Sequence, residues 1–397
     1  MNKLTMAAQF GFWASLGLVA YAYCGFPWLV RFLARWCPEP GLAGRPPLPS
    51  FAVIVTGCNE EAAIAARIEN LLALDYPREL VEIAIACDGC TDATAEIAAG
   101  FSAHGVRVFD FPQNRGKAAV HNDVVPRLGA AILLFTDAET AFAPDFLSVL
   151  ARYFANPRNG CGSGDLTLRP QGEIGQAECS YWNYEKRIRY CEYRLGLLPF
   201  ASGACLAIRR ELFHPIPLYS AEDNFLCYTA PADGYRVFYA REARCWDWSV
   251  PDHARHYRKR YRTALKSFQG AMGCVPLLAR GRCWGPLWAL ISHRLLRWQS
   301  GFFLALALLC NFLLLDRGWL YRFCLALQAC LYASAGVGWW LQRRQADHPR
   351  WRFFALAHGF VSANLAFCHA MLHTAAGRRL HQYQPARQQT PSAPAPR

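Results

Sequence analysis

Apolar and polar positions divide the chain into three regimes. Residues 10–30 form a charge-free run of 21 residues, and three further charge-free windows lie at 298–315, 323–342 and 353–377. At 1.5 Å of rise per residue, each approaches or exceeds the length that crosses a ~30 Å hydrocarbon core. Between them, residues 46–282 are mixed in pattern. Short apolar runs at 51–56, 81–87, 106–109 and 131–136 read as buried strands of the parallel-sheet kind. Helical periodicity fills 60–74, 91–99 and 118–128. Strands alternating with helices at this spacing predict a doubly wound α/β sheet, in which ligands bind beyond the carboxyl ends of the strands.

Charge placement sets the expected topology. The run 10–30, after a nine-residue N-terminal tail, has only Lys3 before it, lacks an A-x-A cleavage site and is followed by Arg31, Arg35 and Arg45. It therefore reads as an uncleaved anchor whose C-terminal side is cytoplasmic. Tyr23 before Cys24 excludes a lipoprotein signal. Arg343, Arg344, Arg350 and Arg352 mark a second cytoplasmic loop. That leaves the C-terminus outside, against the preference of Arg378 and Arg379. The last window also holds His358, Asn364, His369 and His373, so it reads as a fourth span, a re-entrant piece or an interfacial helix. Residues 284–297 alternate Trp288, His293, Arg294 and Arg297 with apolar positions, the pattern of an amphipathic helix at the membrane surface. The Pro-, Gln- and Ala-rich tail 382–397 is expected to be disordered. The expectation is a multi-pass protein of the inner (plasma) membrane, surrounded by membrane lipids, with residues 46–282 as a cytoplasmic domain.

Composition changes this picture little. The 397 residues are 53% hydrophobic, which excludes disorder for most of the chain. A net charge of +13 is explained in large part by basic loops beside the spans, so no nucleic-acid partner is expected. The 17 cysteines show no metal spacing. Cys87 and Cys90 form a lone C-x-x-C around Asp-Gly, and reduced thiols are the expectation in a cytoplasmic domain.

Acidic residues collect at the predicted strand ends: Glu60 and Glu61 after the first, Asp88 after the second, Asp137 and Glu139 after the fourth. Any one of them reads equally well as a helix cap. Three acidic strand ends on one edge call for a cation or sugar hydroxyls. Asp137-Ala138-Glu139 sets two carboxylates two residues apart, suited to one oxygen-loving divalent ion that also holds phosphates. No P-loop and no G-x-G-x-x-G follows the first strand. Asn114-Arg115-Gly116-Lys117 supplies a turn and a cation before a helix, suited to a diphosphate.

The stretches TGCNEEAAIAARIENLLALDYP, CDGCTDATAEIA, NRGKAAVHN, FTDAET, FASGACLAIRRELF, AEDNF and DGYRVFYAREA follow one another across residues 51–245. In this order the chain resembles the membrane-bound glycosyltransferases of family 2, which include cellulose, chitin and hyaluronan synthases. The resemblance implies an α/β GT-A domain with transmembrane helices, and inverting transfer of a hexosyl or N-acetylhexosaminyl group from a nucleotide sugar, usually a UDP-sugar. By motif, Thr56, Cys58 and Glu60 would line the uridine pocket, Asp88 would contact the base, and Lys117 would lie near the ribose or diphosphate. Asp137 and Glu139 would stand at the D-x-D, with Glu139 at the metal position and Mg2+ or Mn2+ as the cofactor. Asp223 would be the general base, with Glu222, Ser202 and Gly203 on the acceptor side. Such a displacement needs one carboxylate to take the acceptor proton and a cation for the departing diphosphate.

The sequence departs from the processive members of the family. Their Q-x-x-R-W becomes Tyr257-Arg258-Lys259-Arg260-Tyr261, keeping Arg260 while both Gln and Trp are replaced. Arg258 and Arg260 are candidate diphosphate ligands or, equally, a basic helix on anionic lipid. The sequence thus predicts one or a few sugars added to a lipid-linked or membrane-associated acceptor. A processive synthase and a catalytically inactive assembly subunit remain as alternatives, and a nucleotidyltransferase lacks the Gly-rich loop it would need.

Overall fold

The computed structural model describes residues 2–39, 44, 47–170, 172–248, 253–344 and 352–377; the tail 382–397 and the side chains of Arg258 and Arg260 lie outside them. Eight strands form one sheet: β1 (Phe51–Gly57), β2 (Val81–Asp88), β3 (Val106–Phe111), β4 (Ile132–Thr136), β5 (Ala141–Phe142), β6 (Asn159–Arg169), β7 (Leu206–Arg209) and β8 (Arg236–Trp248), in the order β3-β2-β1-β4-β7-β6-β8-β5. The first four strands are parallel, as their apolar runs predict. β1 is flanked on both edges by β2 and β4, and its first six residues are all buried. Helices Ile64–Leu72, Thr94–Ala99 and Lys117–Val124 connect them, each shorter than its periodicity suggests.

Beyond β4 the sheet departs from the doubly wound expectation. β7 runs antiparallel to β4 and β6 antiparallel to β7, while β6 and β8 form a long parallel pair. The hydrophobic pattern does not announce β6, because Gly160, Gly162 and Gly164 occupy alternate positions. A Cβ at each would come within 2.5 Å of Leu212, Phe238 and Phe146 respectively, so the missing side chains make room for bulky apolar groups from neighbouring elements.

Three helices are long and apolar enough to cross a membrane: Lys3–Ala34, Trp319–Arg343 and Phe353–Ala375. Only 17% to 28% of their apolar windows is buried, and Phe10, Trp28, Trp319, Leu327, Phe353 and Leu365 are each more than half exposed. Such a surface suits lipid. The window 298–315 is not a straight span of its own. Its helix covers Ser300–Phe312, about 20 Å at 1.5 Å per residue, and joins Trp284–Trp298 at a 58° bend. The expected surface helix and the expected second span are therefore one bent pair.

A buried polar joint ties this pair to the sheet domain. The N-terminal helix opens into a π turn at Tyr21–Gly25, and Trp284–Trp298 into another at Leu290–Leu295. Such turns free carbonyls from the helical ladder. Here Arg297 donates to the Ala22 carbonyl (3.3 Å) and Tyr184 to the Tyr23 carbonyl (2.8 Å). His293 bridges Glu185 (3.1 Å) and Glu192 (2.6 Å) on helix Gly172–Arg194, and Arg297 pairs with Glu185. Burial alone would raise the Glu185 carboxyl, but His293 and Arg297 hold it well below the usual carboxylate range.

Candidate active site

Two loops meet at the carboxyl ends of β1 and β2. Gly89, with φ +67°, donates its amide to the Phe111 carbonyl at 2.9 Å. A Cβ there would lie 2.3 Å from the Asn114 nitrogen, so only glycine permits this approach. Asp88, 1% exposed, accepts from the amides of Arg115 (2.7 Å) and Gly116 (2.8 Å). The carboxylate expected at the base thus holds the Asn114–Lys117 turn in place. Asn59 and Thr91 clasp the β1 and β2 loops, with the Thr91 amide 2.8 Å from the Asn59 oxygen. Cys58 is buried, its thiol directed at the Gly89 carbonyl, and the Glu60 amide meets the Thr94 hydroxyl at 2.8 Å.

Thr56 is buried at the end of β1. Its hydroxyl lies 3.0 Å from the buried His121 Nε2. Burial pushes the His121 imidazole down to about 4, so it is neutral at physiological pH.

Lys117 opens its helix and forms an ion pair with Asp137 at the end of β4. The loop carrying Asp137 and Glu139 is pinned from behind by two residues the sequence reading missed. Arg67, buried, donates to Thr136 (2.9 Å) and to Asn70 (2.7 Å) and stacks 4.1 Å over Phe142. Asn70 bonds both the amide and the carbonyl of Phe142 at 2.9 Å. The loop is thereby held at both ends. Burial lowers Arg67 to about 9, leaving it charged. A signal was present: Arg67 and Asn70 are polar residues one turn apart on the otherwise apolar face of their helix.

Asp137 and Glu139 fit a divalent ion of the Mg2+ or Mn2+ kind. Both offer hard oxygen donors at the strand end. Among the described residues, no group of three or more His, Cys, Asp or Glu gathers as a self-sufficient site. A pair of carboxylates whose ion is completed by phosphate oxygens and water is the arrangement Mg2+ prefers.

On the facing side, Asp223 lies in the first turn of helix Glu222–Ala232, half-buried. The Ser202-Gly203 turn packs against it, since a Cβ on Gly203 would stand 3.3 Å from a Glu222 oxygen and 3.6 Å from the Asp223 carboxyl carbon. Asn224 donates to Asp223 (3.2 Å) and to Ser267 (3.1 Å). Burial, then the Glu222 charge, pushes Asp223 up to about 7, against the pull of Arg294, Arg189 and Lys117. Helix His253–Arg280 descends onto this turn, with Gly270 so near Ser220 that a Cβ would come within 2.4 Å of its hydroxyl. It brings Lys266, unforeseen from sequence, into the field of Glu222, Lys117 and Asp88, and burial lowers its ammonium. Tyr261, where processive synthases carry Trp, packs instead against His369 (4.7 Å) and His373 (5.7 Å) of the last helix. Trp182 and Tyr184 are structural: Trp182 donates to the Leu166 carbonyl at 2.7 Å and Tyr184 caps the π turn.

A mixed sheet with a strand-end carboxylate loop on one side and a carboxylate on a short helix facing it defines the GT-A glycosyltransferases. Residues 52–216 match the model of glycosyl transferase family 2, and the sheet has the GT-A fold. The chain is 26% identical over 290 residues to an N-acetylglucosaminyltransferase of Rhizobium meliloti (strain 1021), covering 67% of each. It is 25% identical over 196 residues to a poly-beta-1,6-N-acetyl-D-glucosamine synthase of Staphylococcus epidermidis (strain ATCC 35984), where it spans only 47% of that protein. Its fold is similar, with a TM-score of 0.67 at 19% identity, to the mannosyltransferase PcManGT from Pyrobaculum calidifontis, solved with GDP-Man and Mn2+, covering 92% of this chain and 99% of that one.

Proposed function

We propose that the protein is an inverting, metal-dependent N-acetylglucosaminyltransferase. It moves the sugar from UDP-N-acetylglucosamine to a lipid-linked or membrane-associated acceptor in one or a few additions, with Asp223 as general base. Asp223 carries the proposal: a carboxyl raised to about 7 at the floor of the acceptor turn, facing Lys117 and the Asp137 loop, is a base matched to neutral pH. The names of the relatives support the sugar. The exposed apolar helices packed against the domain support the membrane acceptor.

In this reading Asp223 takes the proton of the acceptor hydroxyl as that oxygen attacks the anomeric carbon from the side opposite the diphosphate. Lys117 exchanges its ion pair with Asp137 for the diphosphate, and Arg67 holds the loop still while it does so. Lys266 adds a second cation over the mouth, with Arg258 and Arg260 as further diphosphate candidates on the same helix. A divalent ion bound by Asp137 and Glu139 would supply charge neutralisation to the leaving group. Asp88 contributes by fixing the Asn114–Lys117 turn, and Cys58 and Glu60 border the nucleoside. The positive loops after the first and third spans support a domain on the cytoplasmic face of the inner membrane.

The test is nucleotide release and product mass from the detergent-purified chain with lipid extract, offered UDP- and GDP-sugars with Mn2+ or Mg2+. Metal-dependent turnover of UDP-N-acetylglucosamine that Asp223→Asn loses supports the proposal, and a long product ladder would replace few additions with polymerisation. Donor binding without turnover for every acceptor, in wild type and variant alike, would sink it.

A further inference from the structure

Two arginines beside the acceptor turn make no direct ion pair. Arg189, on helix Gly172–Arg194, is 2% exposed, and Arg294, in the π turn Leu290–Leu295, is half-buried. Their guanidinium carbons stand 4.4 and 3.9 Å from the centre of the same Phe200 ring, and Arg189 also lies 4.5 Å over Trp182. Among the described residues neither has an ion-pair partner. The Nε atoms of both, and one terminal nitrogen of Arg294, are buried without any hydrogen bond. The contrast with Arg297, one turn along, is direct, because Arg297 pairs with Glu185. Glu185 and Glu192 bond His293, and although both act on Arg189 at longer range, neither pairs with its guanidinium; the second Glu192 oxygen stays unbonded. Burial and the neighbouring Arg294 charge lower the Arg189 guanidinium.

Two like charges desolvated together are unfavourable unless an anion completes them. Their position says which anion. Phe200, on which both stack, stands two residues before Ser202 of the acceptor turn, and both charges act on Asp223. The donor side has cations of its own in Lys117 and Lys266, set against Asp137, Asp88 and Glu222. Arg294 also sits on the half of the bent pair that leads into the apolar helix Ser300–Phe312. A molecule reaching Asp223 past Arg294 therefore has one end beside lipid-facing helix.

We propose that Arg189 and Arg294 bind the phosphate of a lipid-borne acceptor and hold it beside Asp223. This rests on the transferase reading above, and it narrows the acceptor to a phosphorylated lipid. The planar fork of arginine suits two phosphate oxygens, and Phe200 fixes both forks by stacking.

Binding without donor tests it in the full chain, held in phosphatidylcholine nanodiscs. Farnesyl phosphate should bind about tenfold or more tightly than farnesol, the worth of one charge-assisted hydrogen bond or more. Arg294→Gln should erase that preference, Arg294→Lys should keep part of it, and affinity for the UDP-sugar should stay the same in both. Equal binding of farnesyl phosphate and farnesol to the wild type overturns the proposal. So does a preference that survives both Arg294→Gln and Arg189→Gln. Loss of UDP-sugar affinity in the variants would instead assign the pair to the leaving diphosphate. Competition by inorganic phosphate as strong as by farnesyl phosphate would make it a free-anion site. Loss of the preference on changing to phosphatidylglycerol discs would give it to bulk headgroups. Because no turnover is read, absence of transfer in the enzyme assay leaves each of these outcomes readable.

Discussion

The two halves of the site are built by different means. The donor half, from β1 to β5, is assembled from neighbours in sequence. Asp88 bonds the loop after β3, Asn59 clasps the loop after β2, and Arg67 pins the loop after β4, all within the first four strands and their helices. The acceptor half draws on five distant segments: the turn at Gly203, the helix at Asp223, Ser267 above it, and the two elements that carry Arg189 and Arg294. Its geometry depends on a buried joint with helices that face lipid. The donor half should therefore tolerate damage to the joint, and the acceptor half should not.

The largest expected effect lies at the centre of the acceptor half. Asp223→Asn keeps the shape and removes the base, so transfer should fall by about 10²–10⁴-fold while UDP-sugar binding is unchanged. Isothermal titration beside the turnover assay separates the two. Equal loss in both would break the division between halves.

Next comes the joint. Glu185→Ala strips Arg297 of its carboxylate and His293 of one partner, all in a buried setting. Removing one member of such a network costs about 3–5 kcal/mol. Thermal unfolding in detergent should show the loss, and surviving folded protein should still bind donor while transferring poorly. A variant with unaltered stability would mean that the joint does not hold the halves together.

How much of this was legible follows the same line. β1, β2 and β4 announce themselves because strands buried on both faces are continuous apolar runs, whereas β3, at the sheet edge, buries only Val106; the residues at the strand ends carry motifs that stay together in the chain. β6 was hidden by three glycines whose absent side chains serve Phe238, Phe146 and Leu212, partners far away in sequence. Arg294 reads as one basic position of the amphipathic stretch 284–297 and Arg189 carries no motif at all, so only their meeting over Phe200 distinguishes them. The bend at Gln299 was invisible for a related reason: a charge-free window reports length, whereas the bend belongs to the joint that residues 284–298 make with Glu185 and Glu192.

A smaller effect is expected on the donor side. Asp88→Ala leaves the Arg115 and Gly116 amides without their acceptor in a buried place, at a cost of about 1–3 kcal/mol for each group. The loop can recover part of this from water, so the KM for UDP-sugar should rise by about tenfold or more with a smaller change in kcat. A variant that lost kcat at constant KM would show Asp88 acting on the acceptor half instead. Chelation provides the matching control, since removal of divalent ions should abolish transfer through Asp137 and Glu139 without touching stability.

The smallest effect is the most specific. Asp223 must be ionised to accept a proton, so kcat should fall on the acid side with a limb near the pH of about 7 to which the structure raises it. Burial is the main cause and survives mutation elsewhere. The Glu222 charge is the second cause, and Glu222→Gln removes it while keeping the side chain's size. The limb should therefore move towards lower pH by less than the whole shift. Stability must change in the matching sense. A carboxyl raised from 3.8 to about 7 on folding favours the native state while it is protonated, and that contribution fades as pH climbs through this window. Above pH 7 Asp223→Asn should accordingly unfold at a higher temperature than the wild type, and at pH 4 the two should converge. If the limb moved while the stability difference did not, the titrating group would be a different one, and the base of the acceptor half would have to be sought elsewhere.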